Sequence, residues 1–184
     1  PVIQKANLKA ISNGMTVVKL FEQIAGMRDK IIIPVVIMSS LNPILQYGME
    51  RFIERCATVG IDGLILPDLP IDVYESEYKS LFEKYGINNI LLITPTTSDE
   101  RIRAIDSKST GFIYQVSSSS ITGAKGQFSE EQVAYFKRIQ SLKLATPNLI
   151  GFGISDEQTF NAACQYAKGG IIGSAFVTAL TESE

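Results

Sequence analysis

Apolar residues along this chain fall into two alternating spacings. Short unbroken runs such as Ile31-Ile-Ile-Pro-Val-Val-Ile-Met38 predict strands buried on both faces of a parallel sheet. Between them the apolar positions recur every three or four residues, which predicts amphipathic helices. Val17, Leu20, Phe21 and Ile24 share one such face, opened by Thr16 and closed by Gly26, and Met49, Phe52, Ile53 and Cys56 share the next. Further strands are expected at Leu64–Leu66, Asn89–Ile93, Phe112–Val116, Leu149–Gly151 and from Gly169-Gly170 onward. Asp72 with Glu75, Thr97 with Glu100, Ser129 with Gln132 and Ser155 with Gln158 have the three-residue spacing of capping boxes, and so mark the intervening helix starts. Residues 1–11 read as a loop passing into a short helix.

This gives six strand-to-helix units repeating every roughly 25–35 residues, with no hairpin signal. Strict alternation implies a parallel sheet with helices outside it. A doubly wound open sheet and a (β/α)8 barrel both satisfy that pattern. A dinucleotide-binding sheet would carry its phosphate glycines after the first strand, whereas here they close the series, in Gly151-Phe-Gly-Ile-Ser155 and Gly173-Ser-Ala-Phe176. The expected fold is therefore an α/β (β/α)8 TIM barrel, with about six of its eight units present and residues 1–184 forming one domain incomplete at both ends.

Composition narrows the function. The 184 residues are 45% hydrophobic, enough for a sizeable core, and 17 Lys+Arg against 19 Asp+Glu offer neither a nucleic-acid nor a membrane surface. There is no histidine, so a Ser-His-Asp hydrolase and a His-ligated metal site are excluded for these residues. Cys56 and Cys164 both lie in helical patterns and read as buried thiols, consistent with a reducing cytoplasm and with neither secretion nor anchoring.

In a barrel of this kind chemistry gathers after the strands. Asp68 is the only carboxylate at a predicted strand end, and reads equally as a general base or as a loop anchor before Pro70. No strand end carries lysine, which disfavours a Schiff-base aldolase and leaves acid–base carbon–carbon cleavage or isomerisation. Ser117 to Gln127 is long and polar, a lid or a solvated connector. For Gly153, Gly173 and Ser174, phosphate binding by bare backbone N–H groups competes with helix–sheet packing that admits only small residues.

Several segments together carry a resemblance: Pro1-Val-Ile-Gln-Lys-Ala-Asn, Asn42-Pro-Ile with Tyr47-Gly48, Gly60 to Pro70, Tyr114-Gln-Val-Ser with Thr122-Gly123, Gly151-Phe-Gly-Ile-Ser and Gly173-Ser-Ala-Phe-Val. In register over essentially the whole chain, they resemble the alpha subunit of tryptophan synthase. The resemblance implies a (β/α)8 barrel that cleaves indole-3-glycerol phosphate to indole and glyceraldehyde 3-phosphate by a retro-aldol step, with no cofactor of its own. It also implies a pyridoxal-phosphate beta subunit as partner, in an alpha2beta2 assembly, faced by the segment around Asn42. Gly153, Gly173 and Ser174 match phosphate-binding positions, and Gly123 matches a lid glycine that joins them. Thr122 matches a lid threonine that engages a catalytic-loop aspartate, Tyr114 a tyrosine beside the reacting centre, and Phe152 lies in the phosphate turn. Asp68 matches a regular family residue that is not one of the two catalytic carboxylates. Those two, a glutamate ending the second strand and an aspartate just ahead of the Pro1 segment, are expected upstream of these residues. Ser40 stands where the family usually has an aromatic residue, and Ser120 where it has glycine. Other readings kept open are another phosphosugar isomerase or lyase, and a non-catalytic phosphate-sensing subunit.

Overall fold

The structure, a computed structural model, describes residues 2–117 and 128–183. Its chain divides into two compact units, Ala10–Leu91 and Pro1–Lys9 with Leu92–Glu184. The first helix, α1 (Val2–Ser12), is helical from its second residue, where the sequence suggested a loop.

In the first unit α2 (Val17–Arg28) starts as expected, with the Thr16 hydroxyl accepting from the Lys19 N–H at 3.2 Å. It runs two residues past Gly26, because one glycine weakens a helix without ending it. The predicted strand Ile31–Met38 shrinks to β1 (Val36–Met38). Pro34 removes a ladder donor, and the Arg28 guanidinium donates to the Ile31 and Ile33 carbonyls at 2.7 and 2.8 Å, so this stretch bonds to a side chain instead of a sheet. Ile32 is consequently 96% exposed, against the expectation of burial on both faces.

A helix absent from the sequence reading, α3 (Leu41–Tyr47), follows, with Pro43 in its first turn where proline's missing N–H costs nothing. In α4 (Met49–Thr58) the four residues expected to face inward, Met49, Phe52, Ile53 and Cys56, are all buried. Strand β2 (Gly63–Ile65) leads to α5 (Ile71–Val73), a π-helical turn at Tyr74–Tyr78, α6 (Lys79–Tyr85) and β3 (Asn88–Ile90). Asp72 does not cap this helical run. Pro70 stands at the N-cap, and Glu75 pairs with Lys79 at 3.6 Å. The parallel sheet has the order β1-β2-β3. Phe21, Tyr47 and Phe52 pack their rings, tilted or edge-on, at centroid distances of 5.1–6.2 Å in the core of this unit.

The predicted strand Asn89–Ile93 is two strands in two sheets, since β4 (Leu92–Ile93) opens the second unit. There follow α7 (Asp99–Asp106), β5 (Ile113–Val116), α8 (Glu130–Ser141), β6 (Asn148–Gly151), α9 (Glu157–Cys164), β7 (Gly169–Ile171) and α10 (Ser174–Glu182). The sheet is parallel throughout, in the order β4-β5-β6-β7. Ser129 and Gln132 form the predicted capping box. The other two caps sit one residue later than predicted, at Ser98 for α7 and Asp156 for α9. At both sites two adjacent side chains can cap, and sequence spacing alone does not choose between them. Both cysteines are free; Cys56 is buried as expected, with burial pushing its thiol up to about 12, whereas Cys164 is exposed at the end of α9.

Candidate functional site

Strand register decides which residues share the carboxyl edge of the second sheet. Gly151 of β6 pairs with Val116 of β5 on one side and Ile171 of β7 on the other. The next residues along each chain, Ser117, Phe152 with Gly153, and Ile172 with Gly173, therefore leave the sheet side by side. Ser117 extends the ladder, its N–H donating to the Gly151 carbonyl at 3.0 Å. Its buried hydroxyl donates to the Phe152 carbonyl at 2.8 Å.

The turn after β6 has two left-handed residues in succession, Phe152 at φ +71° and Gly153 at φ +75°. For an aromatic residue that conformation costs about 1–3 kcal/mol, and it persists because the surroundings fix it. The Tyr114 ring, buried on β5, lies 6.2 Å from the Phe152 ring, centroid to centroid. A Cβ at residue 151 would stand 2.2 Å from the Tyr114 phenol oxygen, so glycine there is what admits the tyrosine. Burial raises the Tyr114 pKa above its ordinary value.

The helix after β7 begins at Ser174 with Gly173 as N-cap and no capping side chain. Its first-turn N–H groups are the open end of an unshielded helix dipole, where an anion is stabilised. The helix after β6 differs. Asp156 accepts from the Thr159 N–H at 2.8 Å, and Thr159 bonds back to complete the box. Thr159 holds the Asp156 carboxyl below its usual pKa, so that helix end already carries its own anion. One helix start, at Gly173-Ser174, and one strand-end turn, at Phe152-Gly153, thus emerge from neighbouring strands.

Tyr114, Phe152, Gly153, Gly173 and Ser174 are thus gathered at the ends of three adjacent strands. Thr122 and Gly123, like Ser120 and Lys125, lie outside the described residues. Asp68 belongs to the first unit, where both its carboxylate oxygens accept from the Leu41 N–H at 2.9 Å. It anchors the start of α3, which favours the loop-anchor reading over the general base. Sequence reasoning named Ser117 only as the start of the polar Ser117–Gln127 segment and the end of Tyr114-Gln-Val-Ser, and gave it no role of its own. A cavity of about 470 Å³ between α8 and α9, lined by Val133, Gln158, Ala162 and Tyr166 among others, includes none of the predicted site residues. Among the described residues no group of His, Cys, Asp and Glu side chains is arranged to hold a metal ion.

Comparison with known proteins identifies the family and the fold. The family described as tryptophan synthase alpha chain is matched over residues 1–184. Relatives bearing that description in Christiangramia forsetii and Flavobacterium johnsoniae are 58% and 57% identical over 183 residues, spanning 100% of this chain and 72% of theirs. Among solved structures, the tryptophan synthase alpha chain of Legionella pneumophila superposes with a TM-score of 0.85 at 28% identity, over 100% of this chain and 67% of that one. The tryptophan synthase A-subunit of Pyrococcus furiosus gives 0.86 at 28% identity, over 98% and 72%. A tryptophan synthase structure from M. tuberculosis gives 0.83 at 30% identity, over 99% and 68%. The α/β class of the (β/α)8 barrel, expected from the strand–helix alternation, is the class of these structures.

Proposed function

The chain belongs to the tryptophan synthase alpha chain family, and from that premise we propose that its second unit holds the phosphate of indole-3-glycerol phosphate while the carbon–carbon bond to the indole ring is broken. As a member of that family it is a lyase of tryptophan biosynthesis, the alpha subunit that releases indole and glyceraldehyde 3-phosphate. The observation that carries the site assignment is the register of β6 and β7, which brings Gly153 beside the uncapped helix start at Gly173-Ser174. Gly153, Gly173 and Ser174 are assigned to the phosphate, with the Ser174 hydroxyl as an added donor. Tyr114 and Phe152 are assigned to the indole end, as neighbouring rings at the same edge. Thr122 and Gly123 are assigned to the lid on the family resemblance.

Bond cleavage requires a proton delivered to indole C3 and a proton removed from the hydroxyl on the adjoining carbon. The hydroxyl oxygen then becomes the aldehyde, and the electron pair of the broken bond returns to the ring and restores its aromaticity. These two transfers are assigned to the family's glutamate and aspartate, upstream of Pro1; this chain's contribution is to hold the phosphate end fixed while they occur. Residues 1–184 are assigned to one barrel domain, on the unbroken family match.

The family also implies a beta-subunit partner. We assign the surface around Asn42 to it, in an alpha2beta2 assembly, supported by the exposed apolar side chains of Met38 and Leu45 flanking that segment. A cytoplasmic location accords with the free, exposed Cys164. No helix among the described residues is long and apolar enough to cross a membrane.

The test is to incubate the full-length protein with indole-3-glycerol phosphate and follow indole release. Release in one-to-one ratio with glyceraldehyde 3-phosphate, inhibited competitively by glycerol 3-phosphate, is expected. Indole release indifferent to glycerol 3-phosphate would overturn the phosphate assignment, and no release with beta subunit present would overturn the activity.

A further inference from the structure

The Ser117 hydroxyl belongs to none of the roles above, yet it is fully buried and spent on one acceptor, the Phe152 carbonyl at 2.8 Å. That carbonyl is half of the peptide linking Phe152 to Gly153, which is trans. In a trans peptide the C=O and N–H point in opposite directions. Ser117 follows β5, and β6 lies between β5 and β7. A carbonyl drawn toward the β5 side therefore sends the Gly153 N–H toward the β7 side, where Gly173 and Ser174 emerge. No described residue accepts from that N–H. The peptide would otherwise be free to turn over, since glycine at 153 tolerates either orientation.

We propose that Ser117 is a positioning residue: by holding the Phe152 carbonyl, its hydroxyl aims the Gly153 N–H at the phosphate of a phosphomonoester ligand. This rests on the phosphate assignment above. Ser117 touches no ligand itself; it acts through one peptide plane, and the left-handed backbone at Phe152 and Gly153 is the conformation that plane requires.

The experiment uses glycerol 3-phosphate as probe, with indole as the phosphate-free control, and reads binding by calorimetry and the Gly153 amide by NMR. In the unaltered protein, glycerol 3-phosphate moves the Gly153 amide proton downfield, as a hydrogen bond to an anion does, and indole does not. Ser117→Ala weakens glycerol 3-phosphate binding roughly tenfold, about the effect of losing one such bond, abolishes the Gly153 shift and leaves indole binding unchanged. Ser117→Thr, which keeps the hydroxyl, restores both. If glycerol 3-phosphate binds while the Gly153 amide of the unaltered protein does not respond, the proposal is overturned, whether or not Ser117→Ala folds. Equal binding and an equal shift in Ser117→Ala overturn it too, and leave the phosphate site standing. Absence of glycerol 3-phosphate binding in the unaltered protein removes the phosphate assignment itself, and the proposal with it.

Discussion

Gly151 has no side chain because the Tyr114 phenol stands where one would be, 2.2 Å from the position of a Cβ. Gly151→Ala must displace the ring or the strand, and overpacking of this kind costs about 1–3 kcal/mol. The expected outcome is a lower urea midpoint for Gly151→Ala, recovered in part by adding Tyr114→Leu; an unchanged midpoint in the single variant would contradict the packing. Glycines 153 and 173 were legible in the sequence, because bare backbone after a buried strand has few uses besides anion binding and close packing. What the sequence did not contain was the difference between them. Gly153 sits in a left-handed strand-end turn ahead of the Asp156 N-cap, whereas Gly173 is itself a helix N-cap. Asp68 shows the converse: a strand-end carboxylate looks catalytic until its partner, the Leu41 N–H 27 residues away, is known.

Among the elements, helices and strands were legible for different reasons. Helical periodicity extends over many residues and is reinforced by caps, as in α8, whose Ser129 and Gln132 box occurs where the spacing put it. The Ile31–Met38 run carries no periodicity, so its apolar character could not reveal that Arg28 and Pro34 divert its first half. Asp62 completes this diversion by accepting from Arg28 at 3.0 Å and from the Val35 N–H at 2.7 Å. Asp62→Ala leaves that N–H without its acceptor and the guanidinium without its carboxylate, at a cost of about 1–3 kcal/mol. Faster hydrogen exchange at Val35 and a lower melting temperature are expected; unchanged exchange would show that the segment is held by other means.

At the start of α9 the Thr159 N–H lowers the Asp156 pKa, so the folded state binds that proton more weakly than the unfolded chain. The stabilisation is present above the unfolded carboxylate value, about 3.9, and is lost as pH falls through the lowered folded value. Asp156→Asn, which keeps a capping oxygen without the titration, is therefore expected to flatten the decline of stability below about pH 4. Urea midpoints across pH 2–6 that fall identically in both proteins would refute this.

On the scale of the whole molecule, fold class and family were both legible, for different reasons. Alternation of strand and helix limits the topology to a few parallel α/β solutions, and the position of the glycines near the end of the series selects among them. The family followed from several individually weak segments in register, and the match over residues 1–184 bears it out. The division into two units was not foreseen, because one boundary falls inside a single apolar stretch, between Leu91 and Leu92, and the other inside α1, between Lys9 and Ala10. The central claim is that the ends of β6 and β7 grip one phosphoryl group. A crystal structure of the full-length protein with glycerol 3-phosphate tests it most directly. The account predicts the phosphate oxygens within hydrogen-bond reach of the Gly153, Gly173 and Ser174 N–H groups; a phosphate bound elsewhere, with those three amides unengaged, would contradict it.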